Sequence, residues 1–503
     1  ASGSSPGGLN RGGSVQLATN LFYQLGWDLT WWTLLLAAAE LMALVTIPSV
    51  LIQRRGQPLA ALAWVLGLMA VPFAGVLVWW GIGRSRLERK RRKRASARWA
   101  IVRGFASLRP QVPELTHQQE EKLLPIRKLP LQESWGVFPA VHGNRVQILV
   151  DGAQTYEALD ALARGARHHL HFLFYTWEPD EVGKRFRDLL AERAREGIEV
   201  RVLCDAVGSS ASRRGFFSPL EEAGGRVTFF MPPRFLGRGL TVNFRNHRKL
   251  AVADGGKSYV GGLNIGKAYT GAWRDVGFLL EGPVSAQLQE VFADDWFFCT
   301  GENLADSLYL GGASPVPGKA GEAYCRIIAG GPDNPYNATH DACFIAISHA
   351  RERVWLTTPY LIPSQAIETA LRTAVYRGVD VRLLVPHRSD VPLAQLAGRS
   401  FYPNLLTAGI RIYEYLPAVL HSKVWLFDDD LSVIGSANLD SRSFRLNFEI
   451  SCFTHSGPIN GALAAQFESN LAQSREVSLL ELSRASKWQQ LKEAAMNLFS
   501  PLL

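Results

Sequence analysis

The sequence predicts an α/β protein built twice over: two α/β/α sandwich halves related by pseudo-twofold symmetry, preceded by a transmembrane helical hairpin. Three observations carry the prediction. Two long apolar runs lie within the first hundred residues. Beyond residue 130, strand-like and helix-like segments alternate, the pattern of α/β architecture. Finally, HRKLAVADGGKSYVGGLNIG, starting at His247, returns in altered form as HSKVWLFDDDLSVIGSAN, starting at His421.

Residues 1–30 are expected to form a disordered tail, since their beginning is rich in Gly and Ser. The hairpin is placed at 31–83. Its runs, Trp31 to Ile52 and Leu59 to Ile82, are each long enough to cross a hydrocarbon core about 30 Å thick. The connection around QRRGQP is so short that the two must be antiparallel. Trp31, Trp32, Trp79 and Trp80 suit an interfacial aromatic belt. Glu40 falls inside the first run, and the sequence leaves its role open.

A basic juxtamembrane linker follows at 84–130. Its start, RSRLERKRRKR from Arg84 to Arg94, holds eight basic residues. This is a positive-inside signal that puts the rest of the chain on the cytoplasmic side of its membrane, and the cluster suits anionic lipid headgroups. Arg54 and Arg55, between the runs, are a weaker contrary signal. The formal net charge of +9 and pI of about 9.3 agree with an anionic partner. A cluster set against a membrane span favours lipid over nucleic acid. The five cysteines are scattered and lack C-x-x-C spacing, which argues against a disulfide framework and a structural zinc site.

The halves are placed at 131–310 and 311–503. In each, a helix is followed by Gly and a β-branched residue (Gly197-Ile198, Gly378-Val379) and then by an apolar strand. The H-x-K-x4-D motif recurs in constant register. His247, Lys249 and Asp254 match His421, Lys423 and Asp428 at 174 positions, as Asn264 matches Asn438 and Asp275 matches Glu449. One such motif is weak evidence; two that agree at an Asn and a downstream acid are not accidental.

Strand periodicity puts each His and Lys on one face and each motif Asp on the other. The Asp is therefore expected to pin a turn rather than reach substrate. A pseudo-twofold pairing would gather two imidazoles, two ammoniums and two carboxamides around one cavity, donors suited to a phosphate. One imidazole can attack phosphorus while the other transfers a proton. Asp275 and Glu449 are the candidates to fix the histidine tautomers. No metal or other cofactor is expected. Ser436, Ser441 and Ser443 are read as turn and surface residues, and Arg442 and Arg445 as either phosphate contacts or salt-bridge formers.

At these residues the sequence resembles the phospholipase D superfamily, whose signature is the doubled H-x-K-x4-D. Within it, the chain is similar to the bacterial cardiolipin synthases. WRD (Trp273 to Asp275), TTPYLIP (Thr357 to Pro363), YRGVDVRLLVP (Tyr376 to Pro386), IGSANLDSRSFRLNFE and the final SPLL carry that likeness. The resemblance implies phosphatidyl transfer, with two phosphatidylglycerol molecules giving cardiolipin and glycerol through a phosphohistidine. It implies His247 as nucleophile and His421 as general acid and base, the six motif residues together forming the catalytic set. It further implies Lys249, Lys423, Asn264 and Asn438 on the phosphate, and Asp275 and Glu449 orienting the histidines. The short Asp275, where Glu is the commoner residue, is expected to hold the first-half histidine loosely. Alternatives left open are a different acceptor (water, serine or an ethanolamine lipid), a nuclease, and a non-catalytic lipid-binding protein. Oligomeric state is also left open; the hairpin argues against a nucleic-acid partner.

Overall fold

The computed structural model describes residues 12–83, 104–105, 136–232, 244–310, 321–334 and 336–500. The Arg84–Arg94 cluster lies outside them. The chain divides into an N-terminal helical unit and a much larger α/β unit.

In the helical unit, α1 (Gly12–Gln53) is followed by α2 (Pro58–Ala70) and α3 (Pro72–Val78). Helix therefore covers much of the tail expected to be disordered. The stretch Trp31–Gln53 is long and apolar enough to cross a membrane. The expected second span is not one helix. Pro72 has no N–H and restricts Val71 before it, which takes φ −138°, ψ 73°, and the helix breaks there. The pieces before and after the break are each too short to span.

The second piece doubles back. A side chain at Gly75 would touch the backbone of Gly67 and Leu68, so the glycine permits the close return. Trp64 and Trp79 meet edge to face at 5.1 Å, and the Trp79 indole donates to Ser49 Oγ at 3.3 Å. Trp80 donates to Thr46 Oγ1 at 3.2 Å, and Arg54 donates to the Gly83 carbonyl at 3.1 Å. Where two long helices were expected, the structure has one long helix and a pair of short ones folded back on each other. Trp79 is buried among them rather than on a belt, whereas Trp31, Trp32 and Glu40 face outward.

The α/β unit contains the predicted repeat. The first half holds β1 (Val141–Val150), β2 (His169–Phe174), β3 (Glu199–Asp205), β4 (Arg226–Phe230), β5 (Arg245–Asn246), β6 (Leu250–Ala253), β7 (Lys257–Gly261), β8 (Trp273–Arg274) and β9 (Val276–Glu281). The second holds β10 (Ala323–Gly330), β11 (Arg353–Thr357), β12 (Asp380–Pro386), β13 (Arg411–Tyr415), β14 (Val419–Leu420), β15 (Val424–Phe427), β16 (Leu431–Gly435), β17 (Asn447–His455) and β18 (Ser474–Glu476). Spatial order in the first half is β1-β9-β7-β6-β2-β3-β4; in the second it is β10-β17-β16-β15-β11-β12-β13, with β18 added at the edge. Antiparallel pairing of β1 with β10 fuses the two into one continuous sheet.

Alternation along the strands feeds two faces. Leu170, Phe172 and Phe174 of β2 pack beneath helices Asp151–Gly165 and Glu181–Arg195. Leu173, Leu203 and Val252 point the other way, into a core shared by both halves and built around helices Val284–Thr300 and Gly457–Leu471. The second half has its own outer core under helices Ala338–His349 and Gln365–Tyr376. The repeated glycines end helices: Gly197 (φ +91°) and Gly378 (φ +87°) are left-handed, and the next N–H of each reaches back to Arg193 or Ala374 at 3.1 Å. These closures set the entries to β3 and β12.

Candidate active site

Each motif histidine sits where one half's strand meets the other half's acid-bearing strand. β5, just before His247, runs parallel to the start of β17, pairing Asn246 with Phe448. β14, just before His421, runs parallel to β8, pairing Leu420 with Arg274. His247 N–H donates to the Phe448 carbonyl at 2.9 Å, and His421 N–H to the Arg274 carbonyl at 2.8 Å. This exchange carries each imidazole to the opposite half's carboxylate. His247 Nδ1 lies 3.0 Å from Glu449 Oε1, and His421 Nδ1 lies 2.9 Å from Asp275 Oδ2. The expectation that Asp275 holds the first-half histidine is therefore corrected: the carboxylates are crossed, and Asp275 belongs to His421.

The carboxylates solve one problem in two ways. Ser436 Oγ donates to Glu449 and accepts the Ile450 N–H at 3.0 Å, while Asn447 donates to Glu449 Oε1 at 3.0 Å. In the first half Gly262 occupies the position of Ser436. A side chain there would come 2.5 Å from Asp275 Oδ1, and the shorter Asp275 accepts the Val276 N–H directly at 2.8 Å. Ser436 is fully buried, so it is a carboxylate partner and not the turn residue expected. Ser443 is buried too, accepting the Asn438 N–H at 3.1 Å.

The electrostatics differ between the pairs. Burial pushes the Glu449 carboxyl up, but His247, Lys249 and Ser436 outweigh it and hold it below the ordinary range. Asp275 is raised to about 6, because burial prevails over the lysines and its backbone donor. Burial pushes His247 down to about 4 despite Glu449, and pushes His421 well below its usual value with help from Lys423. Burial thus favours the neutral form of both imidazoles. Burial also lowers Lys249, and it takes Lys423 down to about 8. His421 feels the charge of Lys249 and His247, and Lys249 feels Lys423 and Asp275, so the two motifs converge on one site.

Aromatic rings wall the histidines. Tyr175 meets His247 edge-on at 4.9 Å with Lys249 Nζ 5.3 Å from its ring centre, and Trp273 meets His421 at 4.7 Å.

Asp254 and Asp428, counted in the catalytic set by the motif, stand apart from it. Asp254 accepts the N–H groups of Arg167, His168 and His169 at 2.8–2.9 Å. Asp428 does the same for Arg351, Glu352 and Arg353. Both adopt positive φ, +52° and +46°. Each therefore locks the entry to the neighbouring strand, β2 or β11, rather than only its own turn. Asn264 has its amide engaged by the Thr176 N–H and the Tyr269 hydroxyl, both at 3.1 Å. Asn438 is buried, and its Oδ1 has no partner among the described residues.

Sequence reasoning missed Arg248, whose position between His247 and Lys249 turns it to the opposite face. It is completely buried, donating to Asp295 at 2.6 Å and to the carbonyls of Glu449 (3.2 Å) and Gly330 (3.1 Å). A charged residue out of phase with the motif was the available signal.

A family model described as "Cardiolipin synthase, PLD-like domain" matches residues 159–296 and again 344–471, one match in each half. The chain belongs to the cardiolipin synthase family. The family match covers both crossed pairs, and the curated relatives extend it over most of the chain. "Cardiolipin synthase" of Geobacillus thermodenitrificans (strain NG80-2) is 34% identical, across 92% of each chain. "Cardiolipin synthase A" of Pseudomonas fluorescens (strain SBW25) is 37% identical, across 92% of this chain and 96% of its own. Among solved structures, phosphatidylserine synthase of Haemophilus influenzae Rd KW20 aligns with a TM-score of 0.54, covering 71% of this chain and 95% of its own. At 15% identity that likeness speaks for the fold alone.

Proposed function

We propose that the protein is a membrane-bound phosphatidyltransferase that makes cardiolipin and glycerol from two phosphatidylglycerol molecules through a phosphohistidine. The observation that carries this reading is the pair of imidazoles, each tied at Nδ1 to the other half's carboxylate. Such a tie turns Nε2 toward the reacting group: His247 Nε2 stands open among the described residues, while Lys423 Nζ lies 3.1 Å from His421 Nε2. His247 is the nucleophile, because its partner Glu449 is held ionised and fixes the Nδ1–H tautomer that exposes the Nε2 lone pair. Its Nε2 bonds to phosphorus as the phosphorus–oxygen bond to the headgroup glycerol breaks. His421 gives that oxygen its proton. The arriving phosphate diester anion offsets the ammonium charges that disfavour imidazolium on His421, and Lys249, Lys423 and the Asn438 amide hold its oxygens. Asn264 sets the loop after β2. In the second step His421 takes the proton of an acceptor hydroxyl, and that oxygen displaces His247. The buried, ring-walled site favours a lipid hydroxyl over water.

Labelled phosphatidylglycerol given to the purified protein in vesicles should yield cardiolipin and glycerol in equal amounts. Phosphatidic acid alone, or product only when serine or an ethanolamine lipid is added, would replace the acceptor in this reading.

The raised carboxyl of Asp275 sets the acid limb. It is charged above about pH 6 and neutral below. Transfer should therefore fall as pH drops through about 6, as the imidazolium of His421 loses its anionic partner. Asp275→Asn should be slower by about 10²–10⁴-fold and should lose that limb. An unchanged limb in the variant would assign it to another group.

The membrane reading rests on the folded-back pair. Because Arg54 bonds Gly83, the chain leaves the helical unit at the end where α1 stops. Arg54 and Arg55 then lie at the end from which the sequence runs on into Arg84–Arg94, and taking that end as cytoplasmic removes the contrary signal. In a cysteine-free background, Gln57→Cys and Arg84→Cys should both resist a membrane-impermeant maleimide in intact cells. Labelling of residue 57 alone would restore two full spans.

A further inference from the structure

Beside His421 lies a polar group that the transfer chemistry leaves unused. Tyr360 follows β11 and Asp390 follows β12, both at the C-terminal ends of parallel strands, where loops of α/β sheets gather ligands. The Tyr360 hydroxyl donates to Asp390, 2.9 Å from each carboxylate oxygen. Asp390 itself is exposed, although its charge acts on both His421 and Lys423. Burial and Asp390 together push the Tyr360 phenol up, so it remains a donor. Tyr269 completes the wall: its ring meets Trp273 at 4.9 Å, and Trp273 in turn covers His421. The repeat has no counterpart on the other side. Matching β2 to β11 and β3 to β12 puts Thr176 opposite Tyr360 and Ser209 opposite Asp390. Asp390 thus has no acidic counterpart at the matching position of the first half, where Ser209 stands.

We propose that Asp390, held by Tyr360, binds the vicinal diol of the glycerol headgroup on the His421 side of the reacting phosphate. The inference rests on the reading of His421 as the group that protonates the departing headgroup oxygen. In-line displacement puts that oxygen opposite His247, so the rest of the headgroup extends past His421. Two neighbouring hydroxyls can each donate to one oxygen of a single carboxylate. The acceptor places its terminal hydroxyl at His421 and its neighbouring hydroxyl on Asp390. The same contact therefore serves both steps.

The test measures headgroup release from phosphatidylglycerol and from phosphatidylpropanol, which lacks the diol, using the full-length protein in vesicles. The wild-type protein should prefer phosphatidylglycerol. Asp390→Asn and Tyr360→Phe should each slow phosphatidylglycerol about ten- to hundredfold while changing phosphatidylpropanol by less than about threefold. Equal losses on both lipids, no loss on either, or a loss confined to phosphatidylpropanol would overturn the proposal. If the wild-type protein releases headgroup from phosphatidylglycerol but makes no cardiolipin, the proposed transfer reaction fails, and the diol subsite is still judged by the ratio of the two release rates.

Discussion

His247→Ala is expected to lower cardiolipin formation by at least about 10⁴-fold, the scale on which nucleophile deletions act in enzymes that pass through a covalent intermediate. The side chain cannot be replaced from within the site. His421 is held 2.9 Å from Asp275, and Lys423 Nζ lies 3.1 Å from its Nε2, so the second imidazole is crowded by a cation where a nucleophile needs an open lone pair. Glu449→Gln should give a smaller loss with the fold intact, because the amide can still hold the ring but no longer supplies the negative charge that stabilises imidazole as it turns cationic on attack. Its signature is a fall in kcat with little change in KM. Steady-state rates with phosphatidylglycerol vesicles check both, and a His247→Ala protein within tenfold of wild type contradicts the assignment.

Arg248→Met should destabilise the α/β unit by about 3–5 kcal/mol, the range for removing one member of a fully buried ion pair. Both Arg248 and Asp295 are inaccessible to solvent. The substitution removes the cation beside Asp295, to which Asn246 still donates at 2.9 Å, and also leaves the carbonyls of Glu449 and Gly330 without this donor. Those carbonyls belong to β17 and β10, so Arg248 ties the His247 strand to the strands that join the halves. Urea unfolding should show the loss. An Arg248→Met/Asp295→Leu double variant should recover part of it, since the buried charge then disappears with its partner. A single variant as stable as wild type would mean that the pair contributes nothing.

Much of the catalytic unit could be read in the sequence because periodicity and repetition are local. Two residues per strand repeat separated His247 and Lys249 from Asp254, and the 174-residue register defined two halves with the same strand order. The crossing of the carboxylates could not be read, because it depends on which half β5 and β14 pair with, and strands of two residues carry no pairing signal. Gly262 and Ser436 also fall in the 174-residue register, but their pairing with Asp275 and Glu449 acquires meaning only once the close approach is known. In the helical unit hydropathy dominated the reading. It registered Leu59 to Ile82 as one apolar run and gave too little weight to Pro72, which forces the break.

The central claim is that one cavity formed by both halves forms a covalent intermediate on His247 and resolves it with His421. Mass spectrometry of the His421→Ala protein after incubation with phosphatidylglycerol tests it most directly. The account predicts a phosphatidyl adduct on the peptide containing His247, absent from His247→Ala/His421→Ala. Cardiolipin formed with no adduct, or an adduct that persists in the double variant, contradicts it.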